Sequence, residues 1–153
     1  MDPTTTATER SAQFPAWCRA AGLKVTRQRR AIYKMLAHSS GHPTADDVYD
    51  ALQGDLPSLS LGTVYKILDL FHGHGLVRRV PTGGQAARYD ARLESHHHLL
   101  CSHCGCIEDV LPPPIPSQYT ALPAAAEFHA EDYELLFHCI CAACREEGAS
   151  HPD

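Results

Sequence analysis

Apolar residues recur at helical spacing in three stretches of the first half of the chain. Each stretch begins just after a residue that commonly caps a helix N-terminus, namely Thr26, Thr44 or Ser60. The apolar positions are Ala31, Ile32, Met35 and Leu36, then Ala45, Val48, Tyr49 and Leu52, then Leu61, Val64, Tyr65, Leu68 and Phe71. This pattern predicts three short helices, and we expect a further helix around Ala12–Ala20 before them.

A short β-hairpin is predicted to follow the third helix. Gly73 and Gly75 end that helix, and two strand-like runs, residues 76–80 and 86–90, flank a Pro-Thr-Gly-Gly-Gln turn. Three helices followed by a hairpin is the order of elements in a winged helix-turn-helix domain.

The second half of the chain has a different pattern, with strands around a cysteine-rich turn. Residues 97–101 and 106–111 flank the sequence Cys-Ser-His-Cys-Gly and predict a second hairpin. Four prolines follow, and beyond them we predict a helix over Ser117–Phe128 and a strand over Tyr133–Ile140. The fold class is therefore α+β, with a winged-helix domain over residues 1–91 and a small α/β domain over residues 92–153.

Charge divides the chain at about the same place. The 153 residues carry a net charge of -5, yet Arg19–Arg92 holds 11 Lys and Arg against 6 Asp and Glu, a balance of +5, which leaves -10 for the rest. A basic first half can supply phosphate contacts to nucleic acid. No apolar run approaches the roughly 20 residues of a membrane span, and the first residues lack the pattern of a secretory signal. We therefore expect a cytoplasmic protein.

Two Cys-x-x-Cys pairs predict a structural zinc site. Zinc prefers four tetrahedral ligands, and two such pairs beside strand ends can clip a small domain together. The expected ligands are Cys101, Cys104, Cys141 and Cys144. A redox dithiol and unligated thiols are the alternatives, although redox Cys-x-x-Cys motifs usually occur singly at a helix start. We expect the remaining thiols to be small buried side chains: Cys18, Cys106 and Cys139.

A second set of residues offers nitrogen and oxygen ligands. His96 and His98 share one face of a predicted strand, and Asp109 lies on the strand paired with it. Asp90 ends the predicted wing, and His42 lies in a Gly-His-Pro loop. Such a mixed set suits Mn²⁺, Fe²⁺, Ni²⁺ or Zn²⁺. Spacing alone does not bring the five residues together, and a solvated histidine patch is the alternative.

Three motifs in combination resemble the ferric uptake regulator (Fur) family over about residues 17–145. They are His-Pro-Thr-Ala-Asp-Asp-Val-Tyr from His42, Leu-Ser-Leu-Gly-Thr-Val-Tyr from Leu59, and His-His-His before Cys-Ser-His-Cys-Gly. The resemblance implies a homodimer that places a recognition helix, about Ser60–His72, in the major groove of palindromic operator DNA. The residues it suggests for DNA contact are Arg27, Ser60, Thr63, Tyr65 and Lys66.

The same resemblance implies a regulatory metal site that bridges the two domains and sets the DNA-competent conformation. Its ligands match His42, Asp90, His96, His98 and Asp109. Three His and two Asp look most like the peroxide-sensing branch, which implies Fe²⁺ or Mn²⁺ as the regulatory metal, with Zn²⁺ able to replace them in vitro. In that branch bound Fe²⁺ reacts with peroxide and a ligating histidine is oxidised, here His42 or His96.

Other functions remain open at this point. A manganese- or iron-uptake regulator would use a very similar site. A zinc-dependent hydrolase could use His96 and His98, but the chain has no His-Glu-x-x-His motif. A metal buffer would fit the eleven His and seven Cys but would not need a basic first half. We therefore expect a repressor and not an enzyme.

Overall fold

The computed structural model describes residues 5–80, 82, 86–111 and 134–148. The chain divides into two compact units, Met1–Glu94 and Ser95–Asp153. The predicted domain boundary, after residue 91, lies just before this division. None of the helices in the described ranges is both long and apolar enough to cross a membrane.

The first unit has the predicted order of four helices and a hairpin. Its elements are α1 (Ala7–Ala20), α2 (Arg27–His38), α3 (Ala45–Leu52), α4 (Leu61–Gly73), β1 (Arg78–Val80) and β2 (Arg88–Asp90). The predicted N-caps of α2, α3 and α4 are confirmed, because Thr26, Thr44 and Ser60 each accept a hydrogen bond from the backbone N–H three residues on. The order is that of a winged helix-turn-helix.

Helix α1 begins earlier than predicted. It starts at Ala7 and not near Ala12, because Thr6 and Glu9 form a capping box. The Thr6 side chain accepts from the Glu9 N–H, and the Glu9 carboxylate accepts from the Thr6 N–H at 2.7 Å. Pro15 lies inside the helix without ending it.

An aromatic cluster forms the centre of the first unit's core. Phe14 of α1 stacks on Tyr33 of α2 with ring centroids 4.4 Å apart, and Phe71 of α4 meets both rings edge-on. Phe14, Tyr33 and Phe71 are all buried. Three helices are therefore fixed to one another by a single set of ring contacts.

The wing strands are shorter than predicted, and the end of α4 explains why. Gly75 has a φ of 66°, and the N–H of Leu76 reaches back to the carbonyl of Phe71 at 2.8 Å. This is a Schellman ending, which needs a left-handed residue that glycine adopts without strain. Residues 74–76 form this ending after the last helical residue, Gly73, and β1 begins only at Arg78. Strands β1 and β2 then pair antiparallel.

The second unit contains a three-stranded sheet and a short helix. Its elements are β3 (His97–Cys101), β4 (Ile107–Val110), β5 (Leu136–Cys139) and α5 (Ala142–Glu146). The predicted hairpin is confirmed as the antiparallel pair β3–β4. Strand β5 is parallel to β3, with a sheet order of β4-β3-β5. A parallel pair needs a long connection, and residues 102–135, which include β4, lie between β3 and β5.

One helix of the second unit was not predicted, and one predicted helix cannot be compared with the structure. Helix α5 was not predicted; it begins directly after Cys141, which is its N-cap. The prediction of a helix over Ser117–Phe128 lies outside the described residues.

Candidate metal centres

Four cysteines of the second unit lie together at the end of the sheet. Cys101 ends β3, Cys104 follows in the turn, Cys141 caps α5 and Cys144 lies on α5. Their sulfurs all lie within 4.8 Å of one another. The Sγ atoms of Cys104 and Cys141 are 3.8 Å apart. Four sulfurs at about 2.3 Å from a tetrahedral zinc are about 3.8 Å apart, so the arrangement fits a zinc ion without rearrangement of this pair.

Backbone hydrogen bonds hold the two cysteine turns in place. The Ser102 N–H donates to the Cys139 carbonyl at 2.8 Å and continues the pairing of β3 with β5. The Gly105 N–H donates to the Cys101 carbonyl at 2.9 Å, and Gly105 has a φ of 72°. A side chain at this left-handed position would be strained, so glycine allows the tight turn that presents Cys101 and Cys104 to one point.

Backbone amides prepare these thiols for a metal. The N–H groups of Cys104 and Cys141 donate to Cys101 and lower its pKa to about 5; the Cys141 contact is 3.3 Å. The Cys106 N–H likewise lowers the pKa of Cys104. In contrast, the hydrogen bond with Cys141 and burial raise the pKa of Cys144. A thiol must lose its proton to bind zinc, so zinc binding at this site would require deprotonation of Cys144.

The three other thiols differ from the prediction in one case. Cys18 is buried in the core of the first unit, as predicted, and Cys139 is half-buried. The prediction that Cys106 is buried is wrong, because its side chain is exposed. Its carbonyl accepts a hydrogen bond from the Cys101 N–H at 2.9 Å, so the backbone of Cys106 still pairs with β3 at the end of the hairpin.

Two histidines and an aspartate form a second group at the other end of β3. His98 is the register partner of Asp109 on β4. The Nε2 atoms of His96 and His98 lie 3.5 and 3.7 Å from Oδ1 of Asp109. The two histidines are 1% and 2% exposed, whereas the Asp109 side chain is 28% exposed. Two imidazole nitrogens and a carboxylate oxygen suit Mn²⁺, Fe²⁺ or Zn²⁺, and all three of these atoms are buried.

The two predicted ligands of the first unit also lie together. His42 Nε2 is 3.8 Å from Oδ2 of Asp90, and both side chains are buried. The Arg92 N–H donates to the other Asp90 oxygen, Oδ1, at 2.7 Å. This bond orients the carboxylate with Oδ2 toward His42.

An arginine on the wing positions the loop that carries His42. The Nη1 group of Arg88 donates to the His42 carbonyl at 3.1 Å and lies 3.4 Å from the Gly41 carbonyl. His42 has a φ of 49°, a left-handed conformation that is uncommon outside glycine. The Tyr89 N–H also donates to the Pro43 carbonyl at 3.1 Å. These hydrogen bonds offset the cost of the left-handed backbone at His42. A strained residue that its surroundings hold in place is typical of functional sites.

Of the residues predicted to contact DNA, Ser60 caps α4 and Thr63, Tyr65 and Lys66 lie on it, whereas Arg27 is the first residue of α2. Ser60, Tyr65, Lys66 and Arg27 are exposed and Thr63 is half-buried. The hydroxyl of Tyr65 donates to Asp46 of α3 at 3.1 Å. The hydroxyls of Ser60 and Thr63 lie 2.8 Å apart in the cap of α4.

Two cations beside α4 were missed by the sequence analysis. A cleft of about 480 Å³ in the first unit is lined by residues that include Lys24, Arg29 and Thr63. The Arg29 Nη1 group donates to the Lys24 carbonyl at 2.7 Å, which orients this cation. The basic balance of the first half was the available signal, but it does not indicate which cations share a face with α4.

Comparisons with known proteins agree with this architecture. The model of the "Ferric uptake regulator family" matches residues 20–146. A peroxide-responsive repressor (PerR) of Staphylococcus epidermidis is 33% identical over 130 residues, 85% of this chain and 87% of that protein. The ferric uptake regulator of Pseudomonas aeruginosa, solved with manganese, is 30% identical with a TM-score of 0.68, covering 83% of this chain and 96% of that one. The regulator of Francisella tularensis, solved with iron, is 27% identical with a TM-score of 0.71, covering 81% of this chain and 96% of that one. By the extent of these matches, the chain belongs to the ferric uptake regulator family.

Proposed function

We propose that this chain is a homodimeric, metal-dependent repressor that binds operator DNA and responds to peroxide. The group of His96, His98 and Asp109 carries the proposal, because two imidazole nitrogens that converge on one carboxylate oxygen suit a divalent regulatory metal. His42 and Asp90 of the first unit complete the ligand set, as the family resemblance implies. Cys101, Cys104, Cys141 and Cys144 hold a structural zinc.

The proposed peroxide response is supported by the relative named a peroxide-responsive repressor. Fe²⁺ is the metal that supplies this chemistry: it reduces peroxide and thereby allows oxygen to be added to a nearby imidazole. His42 and His96 are the expected targets, and both are buried. Mn²⁺ at the same ligands supports DNA binding without this reaction.

Exposed residues of α4 are the proposed DNA contacts, together with Arg27. The N-cap of α4 leaves the Ser60 and Thr63 hydroxyls at the helix N-terminus, where a phosphate is favoured by the helix dipole. Each phosphate that the protein neutralises makes the slope of log K against log salt concentration more negative by about 0.9. Lys66→Ala should therefore make this slope less negative by about 0.9. Tyr65→Phe should leave the slope unchanged and weaken binding to the preferred DNA sequence. The proposed repressor acts in the cytoplasm, and it does not need to catalyse a reaction.

The test of the function uses protein purified without oxygen. The zinc-containing protein is loaded with Fe²⁺ or with Mn²⁺, and DNA duplexes are selected from a random pool with the Mn²⁺ form. DNA affinity is then measured before and after stoichiometric peroxide, and the peptides holding His42 and His96 are weighed by mass spectrometry. A peroxide sensor loses DNA affinity only in the iron form and gains one oxygen atom on either peptide.

Matched variants separate the regulatory site from a general effect of charge. Asp109→Asn should abolish metal-dependent DNA binding, whereas Glu108→Gln, an exposed neighbour on the same strand, should leave it intact. If both metal forms keep binding after peroxide, the protein is a manganese- or iron-uptake regulator. If neither metal supports DNA binding, the assignment of the regulatory site is wrong.

A further inference from the structure

A carboxylate outside the predicted ligand set lies against His98. The Nδ1 atom of His98 is 2.8 Å from Oε1 of Glu134, an ion-pair contact in which the two groups are not aligned for a hydrogen bond. The other ring nitrogen, Nε2, faces Oδ1 of Asp109 at 3.7 Å. The two nitrogens of one buried imidazole therefore face two different carboxylates.

The pairing of β3 with β5 fixes Glu134 in this position. The His98 N–H donates to the Leu135 carbonyl at 3.0 Å, and His98 is the register partner of Leu136. Glu134 directly precedes these two residues, so its backbone lies beside that of His98. Its side chain is 29% exposed while that of His98 is 3% exposed. Glu134 therefore closes the solvent side of the ring.

The divergent directions of the two ring nitrogens give Glu134 a different role from that of Asp109. An ion bound at Nε2 lies on the Asp109 side of the ring, and a carboxylate at Nδ1 cannot reach the same ion. A neutral imidazole that binds metal through Nε2 carries its proton on Nδ1. A carboxylate that accepts this proton in a hydrogen bond fixes the tautomer and the ring orientation, and it makes Nε2 a stronger donor.

We propose that Glu134 is a positioning residue that holds His98 as the Nδ1–H tautomer and presents Nε2 to the regulatory metal. The inference rests on the proposed function, since it assumes a metal at His98. It adds a residue that neither the sequence motifs nor the ligand grouping contains. Partners of this kind typically change metal affinity by about 10- to 100-fold when they are removed.

The test compares Glu134→Ala and Glu134→Gln with Glu108→Gln as the control for charge. Co²⁺ titrated into the zinc-containing protein reports affinity through its visible absorption. We expect Glu134→Ala to bind Co²⁺ about 10- to 100-fold more weakly. Glu134→Gln, whose amide oxygen still accepts a hydrogen bond, should lose less, and Glu108→Gln should lose nothing. Zinc content and thermal unfolding identify any variant that fails to fold.

A second measurement detects the tautomer directly. Nitrogen-15 spectra of the histidine rings, recorded without the regulatory metal, should place the His98 proton on Nδ1 in the wild-type protein. In Glu134→Ala without the regulatory metal, the two tautomers should mix, while Glu134→Gln should keep the wild-type form. A purely structural role of Glu134 would not change this spectrum selectively.

The outcomes distinguish the inference from the function on which it rests. If Asp109→Asn abolishes Co²⁺ binding but Glu134→Ala keeps both affinity and tautomer, the inference about Glu134 is wrong. If Asp109→Asn also leaves Co²⁺ binding unchanged, the regulatory site itself is wrong and the inference fails with it.

Discussion

Replacing a single exposed thiol tests the zinc site in the second unit. Cys104 is exposed, so Cys104→Ser removes a sulfur without opening a cavity in the core. Its Sγ atom lies 3.8 Å from that of Cys141, the spacing of two sulfurs on one zinc. Cys106→Ser is the matched control, because Cys106 is also an exposed thiol in the same turn but lies outside the ligand group.

The size of the effect follows from comparing zinc with the buried apolar side chains that the structure describes in this unit. Leu100 and Ile107 are its buried aliphatic side chains within the described ranges, each worth about 1.5–3 kcal/mol. A structural zinc contributes about 10–16 kcal/mol, or about 3 kcal/mol for each of four ligands. Loss of one sulfur should therefore weaken zinc binding by about 100-fold. The free energy that zinc contributes exceeds that of these two buried side chains. Weaker zinc binding should therefore loosen the whole sheet.

The assay combines zinc competition with amide hydrogen exchange. Cys104→Ser should release zinc to a chelator that leaves the wild-type protein loaded, and the amides of β3 and β5 should then exchange faster. The amides of α2 and α4 should stay protected, because the aromatic core of the first unit contains no zinc ligand. Equal zinc loss from Cys106→Ser, or zinc retention by Cys104→Ser, would refute the assignment of the four ligands.

Three further predictions concern the first unit. Arg88→Met removes the bonds to the His42 loop and should cost about 1 kcal/mol of unfolding free energy and weaken Mn²⁺ binding, with zinc content unchanged. Hydrogen bonds from Thr44 lower the pKa of Asp47 below its ordinary 3.8, so its stabilisation is present above that pH and is lost as the pH falls through the folded-state pKa. The melting-temperature gap between the wild type and Asp47→Ala should therefore close in acid; a constant gap would contradict this. Phe14→Ala should cost about 3–5 kcal/mol in urea unfolding, and a decrease under about 1 kcal/mol would contradict the aromatic core.

Features with local causes could be predicted from the sequence. The N-caps at Thr26, Thr44 and Ser60 depend on a bond to a residue three positions away, and all three form. The β3–β4 hairpin has a short turn, so its pairing is also set locally. The positions of helices and strands in the first unit follow from such signals, with errors only at ends where a capping box or a Schellman ending intervenes.

Features that depend on distant pairing could not be predicted. The parallel contact between β3 and β5 joins segments separated by residues 102–135, and no local pattern indicates its register. Glu134 acquires its position beside His98 only through that register. The ligand residues themselves were recognisable by chemical type, whereas the distances among His96, His98 and Asp109 come from strand pairing.

The same strand pairing should couple the two metal groups of the second unit. Cys101 pairs with Cys139 at one end of β3–β5, and His98 pairs with Leu136 at the other. Zinc at the cysteines would hold this register, and the register in turn places Glu134 against His98. Cys104→Ser should therefore weaken Mn²⁺ binding by on the order of tenfold, although Cys104 is not a regulatory ligand.

Thermodynamic linkage makes this coupling testable in the opposite direction. If zinc raises the affinity for Mn²⁺ by some factor, Mn²⁺ must raise the affinity for zinc by the same factor. Zinc competition at equilibrium, with and without saturating Mn²⁺, measures the second factor in the wild-type protein. In Glu134→Ala the factor should fall toward one, because the link from the register to His98 is broken. If Mn²⁺ leaves the zinc equilibrium unchanged in the wild type, the cysteine and histidine groups act independently, and the strand register does not connect them.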